Sequence, residues 1–287
     1  MLNVYEQIDR NRRRSFLVIA GFVLFVLTFV YLVGRVFGSD PSLVFAAAVF
    51  SLFSAFGGYF WGDKIVLASV GGRPARKEEF FDFYTVVENL SIAAQTPMPS
   101  LYVIDSPSLN AFATGRDPNH AVICATTGLL EKLDRSELEG VIGHEISHIK
   151  NLDIRLMTIV AVLVGMVTLL SDWILRGYGR KEKEERSGLV YFLGFLAVIL
   201  APFVARLIQL AISRRREFLA DAFSAKLTRY PQGLIRALKK IASESRLNVS
   251  PAVSHLFISS PLKGKVACLF STHPPIEERI RALEKMV

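Results

Sequence analysis

The sequence predicts a mainly helical α+β protein with about four transmembrane helices and a small β-sheet. Two observations indicate this fold class. Long uncharged runs alternate with ordinary soluble sequence, and 51% of the 287 residues are hydrophobic, as is typical of integral membrane proteins. Between the runs, segments rich in β-branched and aromatic residues predict strands, and segments with apolar residues at helical spacing predict helices.

The first uncharged run, residues 16–34, is long enough to cross a bilayer as a helix. A signal peptide would have a shorter apolar region followed by a small-x-small cleavage site, so a retained anchor is favoured. The second run, residues 41–62, follows after a short linker. We therefore expect residues 1–62 to form an N-terminal region with a transmembrane hairpin.

The third and fourth runs, residues 156–171 and 187–205, predict a second apolar hairpin within residues 155–213. The third run is short for a span and is followed by Asp172, whereas the fourth is just long enough and is followed by Arg206. Two interpretations stay open. Both runs cross the bilayer, or they are re-entrant or lie partly within protein.

Basic residues determine the predicted orientation. Four arginines precede the first run and place the N-terminus in the cytoplasm, because cytoplasmic flanks carry an excess of Lys and Arg. An even number of crossings then returns residues 63–154 and 214–287 to that side. The basic loop "RGYGRKEKEERS" is the one observation against this topology, since it would lie outside. We expect a multi-pass protein of the cytoplasmic (inner) membrane, with the lipid bilayer as a partner.

The net charge and the cysteines argue against two further classes. The formal net charge is +8, which in a membrane protein reflects basic cytoplasmic loops, and no motif interleaves aromatic residues with the basic clusters. We therefore expect no nucleic-acid partner. Cys124 and Cys268 have no CxxC partner, so a reducing compartment is expected and a disulfide framework is not.

The soluble sequence divides into two parts of one predicted catalytic domain. In residues 63–154, the segments "LYVID", "NAFATG" and "HAVICAT" predict a small sheet. Asp134 and Glu137 then predict an N-cap with a capping box, followed by a helix with one apolar face. Residues 214–287 predict further helices.

The segment "GHEISH" on that helix predicts a metal site. His144 and His148 are four residues apart, so a helix places both imidazoles on one face, able to reach a single ion. Zinc would lower the pKa of a water to about 7, and Glu145 could accept its proton and pass it to the leaving amine. The alternative is two surface histidines. Only five histidines are present, so a chance match to H-E-x-x-H is on the order of one per cent. The expected domain is therefore zincin-like, with one zinc ion per chain.

A catalytic zinc needs a third protein ligand. In one zincin class a third histidine follows a glycine, but Asn151 and Ile154 stand at those positions here. The other common ligand is a glutamate from a later helix, and "RRREFLADA" supplies Glu217. Asp221, one turn further, could accept a hydrogen bond from a ligand histidine and fix its tautomer. Without the motif, the same segment is a helix with ordinary charges at i and i+4.

The membrane spans, "HEISH", the delayed "EFLAD" and "NAFATG" together resemble the HtpX-type membrane zinc metalloproteases, gluzincins related to the CAAX prenyl proteases. The resemblance covers nearly the whole chain. It implies that His273, in "STHPPIEERI", stabilises the oxyanion of the tetrahedral intermediate, and that Arg279 supports it or the site. It also implies an active-site edge strand that pairs with the substrate backbone. The residues of that strand are Asn110, Ala111, Phe112 and Ala113. We expect His120 and His255 to be structural.

The resemblance implies a membrane zinc endopeptidase whose polypeptide substrates are misfolded or damaged membrane proteins, with a role in protein quality control. Two alternatives stay open. A CAAX-type processing protease shares the zinc chemistry, but such enzymes have longer chains with more spans. A membrane scaffold with a structural zinc would not need Glu145.

Overall fold

The computed structural model describes residues 4–37, 42–178, 214–244, 253, 255–258 and 274–286. The fourth apolar run and most of the basic loop ahead of it lie outside these residues. In chain order the helices are α1 (Val4–Phe37), α2 (Ser42–Val70), α3 (Phe81–Ala94), α4 (Thr127–Lys132), α5 (Arg135–Lys150), α6 (Asp153–Tyr178), α7 (Arg214–Thr228), α8 (Pro231–Glu244) and α9 (Ile276–Glu284). The strands are β1 (Arg73–Pro74), β2 (Ser100–Ile104), β3 (Ala111–Gly115) and β4 (Ala121–Thr126).

The long helices α1, α2 and α6 pack against one another. The first and third apolar runs lie in α1 and α6, and residues 42–62 of the second lie in α2. Within the described part of the chain, no helix has both the length and the apolar character of a membrane span. The four predicted spans stay a prediction.

Helices α1 and α2 differ from α6 in how far their apolar side chains are buried. On α1 and α2, Phe16, Phe45 and Phe53 are exposed at 70%, 74% and 71%. Along the first half of α6, by contrast, Leu156 and Leu163 are fully buried, and the helix packs against α1, α2 and β3. This agrees with the interpretation that the third run lies partly within protein.

The sheet has the strand order β1-β2-β4-β3. Strands β2 and β4 are parallel, whereas β1 pairs with β2 and β3 pairs with β4 in the antiparallel sense. The three predicted strand segments overlap β2, β3 and β4, and the α+β class is confirmed. Strand β1 was not predicted, because a two-residue strand that includes Pro74 has no alternating pattern.

Helix α5 lies within the main hydrophobic core. The predicted capping box is present, since Asp134 accepts from the Glu137 amide and Glu137 accepts from the Asp134 amide, each at 2.9 Å. The helix is buried on more than its one apolar face, because α3, α7, α8 and β3 surround it. A Cβ added at Gly140 would meet the Leu234 backbone at 2.6 Å, and one at Gly143 would meet Ser224 at 2.8 Å. These two glycines therefore allow α8 and α7 to approach closely.

Candidate metal centre

Helix α5 presents two imidazoles to one point. The Nε2 atoms of His144 and His148 are 3.1 Å apart, and their rings meet edge to face with centroids 4.7 Å apart. Glu145 lies between them in the sequence. All three residues are buried. The predicted spacing of one helical turn has thus brought both histidines to a single place.

Helix α7 brings a carboxylate to the same point. The close approach of α5 and α7 is fixed by Ser224, whose hydroxyl donates to the Gly140 carbonyl at 2.6 Å. Glu217 precedes Ser224 by about two turns of α7. Its Oε2 lies 3.6 Å from Nε2 of His144, and its Oε1 lies 3.7 Å from Nε2 of His148. Among the described residues, His144, His148 and Glu217 form the group that could hold a metal ion.

The geometry of this group fits a tetrahedral cation. Bonds of about 2.1 Å from nitrogen and oxygen ligands to a zinc-like ion separate neighbouring ligand atoms by about 3.4 Å. The observed separations are 3.1, 3.6 and 3.7 Å. Each histidine also turns its Nδ1 to an aspartate, and both Nε2 atoms face the Glu217 carboxylate. The buried Glu217 carboxylate needs a cation beside it, either a metal ion or a protonated imidazole.

His144, Asp221 and Arg279 form one hydrogen-bond network, here called the His144 network. Asp221 lies 2.9 Å from His144 Nδ1 and accepts two bonds from Arg279, at 2.9 and 2.7 Å. Arg279 also donates to the Ile258 carbonyl at 2.9 Å and is fully buried. Asp221 therefore lies against Nδ1 of His144, the contact that the predicted role of orienting this histidine requires.

The charges of the His144 network balance one another. Burial alone would lower the pKa of Arg279, but the carboxylates of Asp221, Glu217 and Glu145 outweigh it and raise the pKa, so the guanidinium stays charged. Burial likewise lowers the pKa of His144, but hydrogen bonds to Asp221 and Glu217 raise it to about 9. The same negative surroundings favour a metal cation at this imidazole.

His148, Asp153 and Arg216 form a second network, the His148 network. Asp153 lies 3.1 Å from His148 Nδ1 and accepts from Arg216 at 2.9 Å. Burial raises the pKa of Asp153, but the hydrogen bond from His148 and the charge of Arg216 outweigh it and lower the pKa. Sequence reasoning missed Asp153 and Arg216. The chain turns at Leu152, with φ of 56°, between α5 and α6, so helical periodicity does not extend across the break.

Comparison with known proteins identifies the family. Residues 78–287 match the sequence model of Peptidase family M48. The chain belongs to peptidase family M48. It is 46% identical to the "Protease HtpX homolog" of Dictyoglomus thermophilum, over 98% of this chain and 94% of that one. It is 43% identical to the "Protease HtpX homolog" of Caldanaerobacter subterraneus subsp. tengcongensis, over 99% and 98% of the two chains.

Among solved structures, the crystal structure of S. mikatae Ste24p matches 92% of this chain, at 22% identity and a TM-score of 0.49. The M48 chain spans 62% of the length of that protein. The family assignment confirms the resemblance to HtpX-type proteases, and the chain is a metalloprotease.

Other predicted site residues of the M48 protease lie in different surroundings. His273 lies outside the described residues. Arg279, predicted to support the oxyanion or the site, binds Asp221, and its Nη2 lies 3.3 Å from Nδ1 of His144. His120 is exposed and lies 2.8 Å from Asp117. His255 is buried, with Nε2 3.1 Å from the Met157 carbonyl.

The predicted substrate strand lies at one edge of the sheet. It is β3, preceded by Asn110, and its residues are all buried. The Ala111 carbonyl, on the side away from β4, accepts from the Ile258 amide at 2.9 Å. Phe257 packs edge to face on Phe112, with centroids 4.8 Å apart. Residues 255–258 therefore cover the start of this edge.

Proposed function

We propose that this M48 protease is a membrane-bound zinc endopeptidase that hydrolyses misfolded or damaged membrane proteins at the cytoplasmic face, as part of protein quality control. The observation that carries the proposal is the convergence of His144, His148 and Glu217 on one buried point next to Glu145. Three protein ligands with a fourth position open are typical of catalytic zinc, whereas structural sites are closed by four.

The donor set supports zinc as the ion, with one ion per chain. Two imidazole nitrogens and one carboxylate oxygen suit zinc among the common divalent ions, because calcium and magnesium prefer oxygen ligands alone. When bound, zinc supplies a Lewis acid that polarises a carbonyl and lowers the pKa of water. The two aspartates hold His144 and His148 in the tautomer that directs Nε2 at the ion.

Glu145 is the proposed general base. It follows His144 on the same helix, is buried at 2% exposure, and contributes to the charge around Arg279. A carboxylate there accepts a proton from the attacking water and returns it to the leaving amine.

The proposed substrate pairs with β3 as an added strand. In an antiparallel pair, the outward peptide groups alternate along the edge strand. Because the Ala111 carbonyl faces away from β4, Ala113 faces the same way. An extended peptide would use these groups with little preference for its side chains. Its binding requires the Ile258 amide to leave Ala111.

The membrane location is supported by the sequence and by the exposed apolar side chains of α1 and α2. Phe45 and Phe53 would be unfavourable in water at exposures of 74% and 71%. The basic residues around the apolar runs support a cytoplasmic soluble part. A site that faces the cytoplasm beside the bilayer would meet the cytoplasmic segments of other membrane proteins.

The test of the proposed chemistry is Glu145→Gln, with zinc analysis and a casein cleavage assay on the same preparation. We expect zinc to be retained and proteolysis to decrease by at least about a hundredfold, because the base is lost and the ligands are not. Glu139→Gln is the matched control, since Glu139 is a surface residue on the same helix and pairs with Arg135. Unchanged proteolysis in Glu145→Gln would show that the mechanism is wrong.

Orientation has a separate test. A single reactive cysteine placed at Ile92, which is 72% exposed on α3, is labelled in inverted and right-side-out vesicles. We expect an impermeant reagent to modify it from the cytoplasmic side alone. Labelling from the opposite side would refute the proposed orientation and leave the zinc chemistry untouched.

A further inference from the structure

The N-terminal helix contributes a side chain to the surroundings of the metal site. Asn11, on α1, is buried at 3% exposure. Its amide nitrogen donates to Asp153 Oδ1 at 2.7 Å and to the Asn151 carbonyl at 2.8 Å. The first acceptor orients His148 and the second ends α5, so Asn11 bridges the turn between α5 and α6.

These bonds define how the Asp153 carboxylate is shared. Oδ1 accepts from both Asn11 and Arg216, at 2.7 and 2.9 Å. Oδ2 lies 3.1 Å from His148 Nδ1. Arg216 also reaches Asn11 Oδ1 at 3.4 Å. With Oδ1 occupied by two donors, the carboxylate is fixed in rotation and directs Oδ2 at the imidazole.

The position of Asn11 in the chain is what makes this contact informative. Residue 11 precedes the first apolar run and lies before residues 78–287, which match the peptidase family. A buried amide with two directed bonds is costly unless both are made. Helix α1 therefore packs against the catalytic part next to His148. Asn11 on α1 contacts Asp153, and Asp153 contacts His148.

We propose that Asn11 is a positioning residue of the metal site, acting through Asp153 on His148, so that the packing of α1 sets the metal affinity of the protease. The N-terminal helix then has a second role besides anchoring. Displacement of α1 frees the Asp153 carboxylate to rotate, and His148 loses its fixed orientation. Metal affinity and peptidase activity decrease together.

The test measures zinc binding by the full-length protein in detergent, as competition with a chromogenic chelator. For Asn11→Ala we expect the zinc dissociation constant to rise about tenfold, at the lower end of the range for groups that orient a metal ligand. The visible spectrum of the cobalt-substituted protein gives a second readout, because a turned His148 ring alters the ligand field. Ser15→Ala is the matched control, since Ser15 is also buried on α1 but donates within the helix, to the Asn11 carbonyl at 3.0 Å.

A reciprocal exchange keeps the test valid if Asn11→Ala does not fold. Asn11→Asp places two carboxylates against each other, and we expect it to bind zinc more weakly than the parent. Combining it with Asp153→Asn restores a donor and an acceptor between the two positions and a carboxylate near Arg216. This double variant should lose less zinc affinity than the losses of Asn11→Asp and Asp153→Asn combined.

Three results would overturn the proposal. They are parental zinc affinity in Asn11→Ala, an equal loss in Ser15→Ala, or a double variant whose loss equals the losses of Asn11→Asp and Asp153→Asn combined. This inference rests on the proposed zinc site, but different results would refute the zinc site and the role of Asn11. A parent protein that binds no zinc refutes the site, whereas unchanged affinity in Asn11→Ala refutes the role of Asn11 alone.

Discussion

The two ligand histidines are held by networks of the same composition and different origin. In each, an aspartate orients the imidazole and an arginine binds the aspartate. The His144 network is built from α5, α7 and α9, all within the part that matches the M48 family. The His148 network uses α5, α6 and α7, and it also receives Asn11 from α1, outside that part. The catalytic part therefore orients His144 with its own residues, whereas the orientation of His148 also depends on Asn11 of the N-terminal helix.

The networks also differ in how firmly each aspartate is bound. Asp221 accepts two bonds from a fully buried arginine. Burial raises the pKa of Asp221, but the charge and hydrogen bonds of Arg279 outweigh it and lower the pKa to about 2. Arg216 reaches Asp153 through Nη1 at 2.9 Å and is 11% exposed. We therefore expect the His144 network to be the less tolerant of substitution.

Removal of the arginines should give the largest difference. Arg279→Met leaves the Asp221 carboxylate buried without its cation, which costs about 3–5 kcal/mol. Arg216→Met should cost about 2 kcal/mol, because the charged hydrogen bond to Asp153 is lost at a partly exposed position. Denaturant unfolding of the purified variants measures both. Equal losses of unfolding free energy in the two variants would show that the two networks do not differ in how firmly they bind their aspartates.

Neutralising the aspartates sharpens the comparison at the metal. Asp221→Asn and Asp153→Asn keep the shape of the side chain and remove its charge. Outer groups of this kind typically contribute 10- to 100-fold in metal affinity. We expect a loss of about 100-fold for Asp221→Asn and about tenfold for Asp153→Asn, in chelator competition. The reverse order would show that His148 is the more dependent ligand.

The packing of α5 on α7 should affect the His144 network first. In Gly143→Ala the new methyl group would lie 2.8 Å from Ser224 Oγ, and overpacking of this kind costs about 1–3 kcal/mol. Because α7 carries Asp221 and Glu217, zinc affinity should decrease with stability. Gly57→Ala on α2 is the control, since a Cβ there meets nothing within 4 Å. Unaltered zinc affinity in Gly143→Ala would show that the close packing at Gly143 does not influence the metal site.

The smallest effect should come from the N-cap of α5, which supports both networks alike. Asp134→Ala removes the acceptor for the Glu137 amide and should lower the free energy of unfolding by about 1 kcal/mol. Zinc affinity should stay at the parental value, because the cap is more than two turns away from His144. A loss of zinc would mean that the start of α5 influences the ligands.

The site residues that could be predicted from the sequence are those that helical periodicity relates to one another. His144, Glu145 and His148 follow from the spacing within one helix, and Asp221 follows from its spacing to Glu217. The three longer strands were predicted because their segments are rich in β-branched or aromatic residues, with turn-forming residues between them. Asp153 and Asn11 were not predicted as site residues. Asp153 directly follows Leu152, whose backbone is left-handed, so helical periodicity does not reach it. Asn11 contacts Asp153 through tertiary packing, and the two residues are 142 positions apart in the sequence.

Zinc X-ray absorption of the purified full-length protein tests the central claim most directly. The claim is that two histidines, each held by an aspartate and an arginine, share one zinc ion with Glu217. The predicted spectrum has a coordination shell of nitrogen and oxygen at about 2.0–2.1 Å, with outer scattering from two imidazoles. A shell that contains sulfur, or scattering from fewer than two imidazoles, would contradict the account.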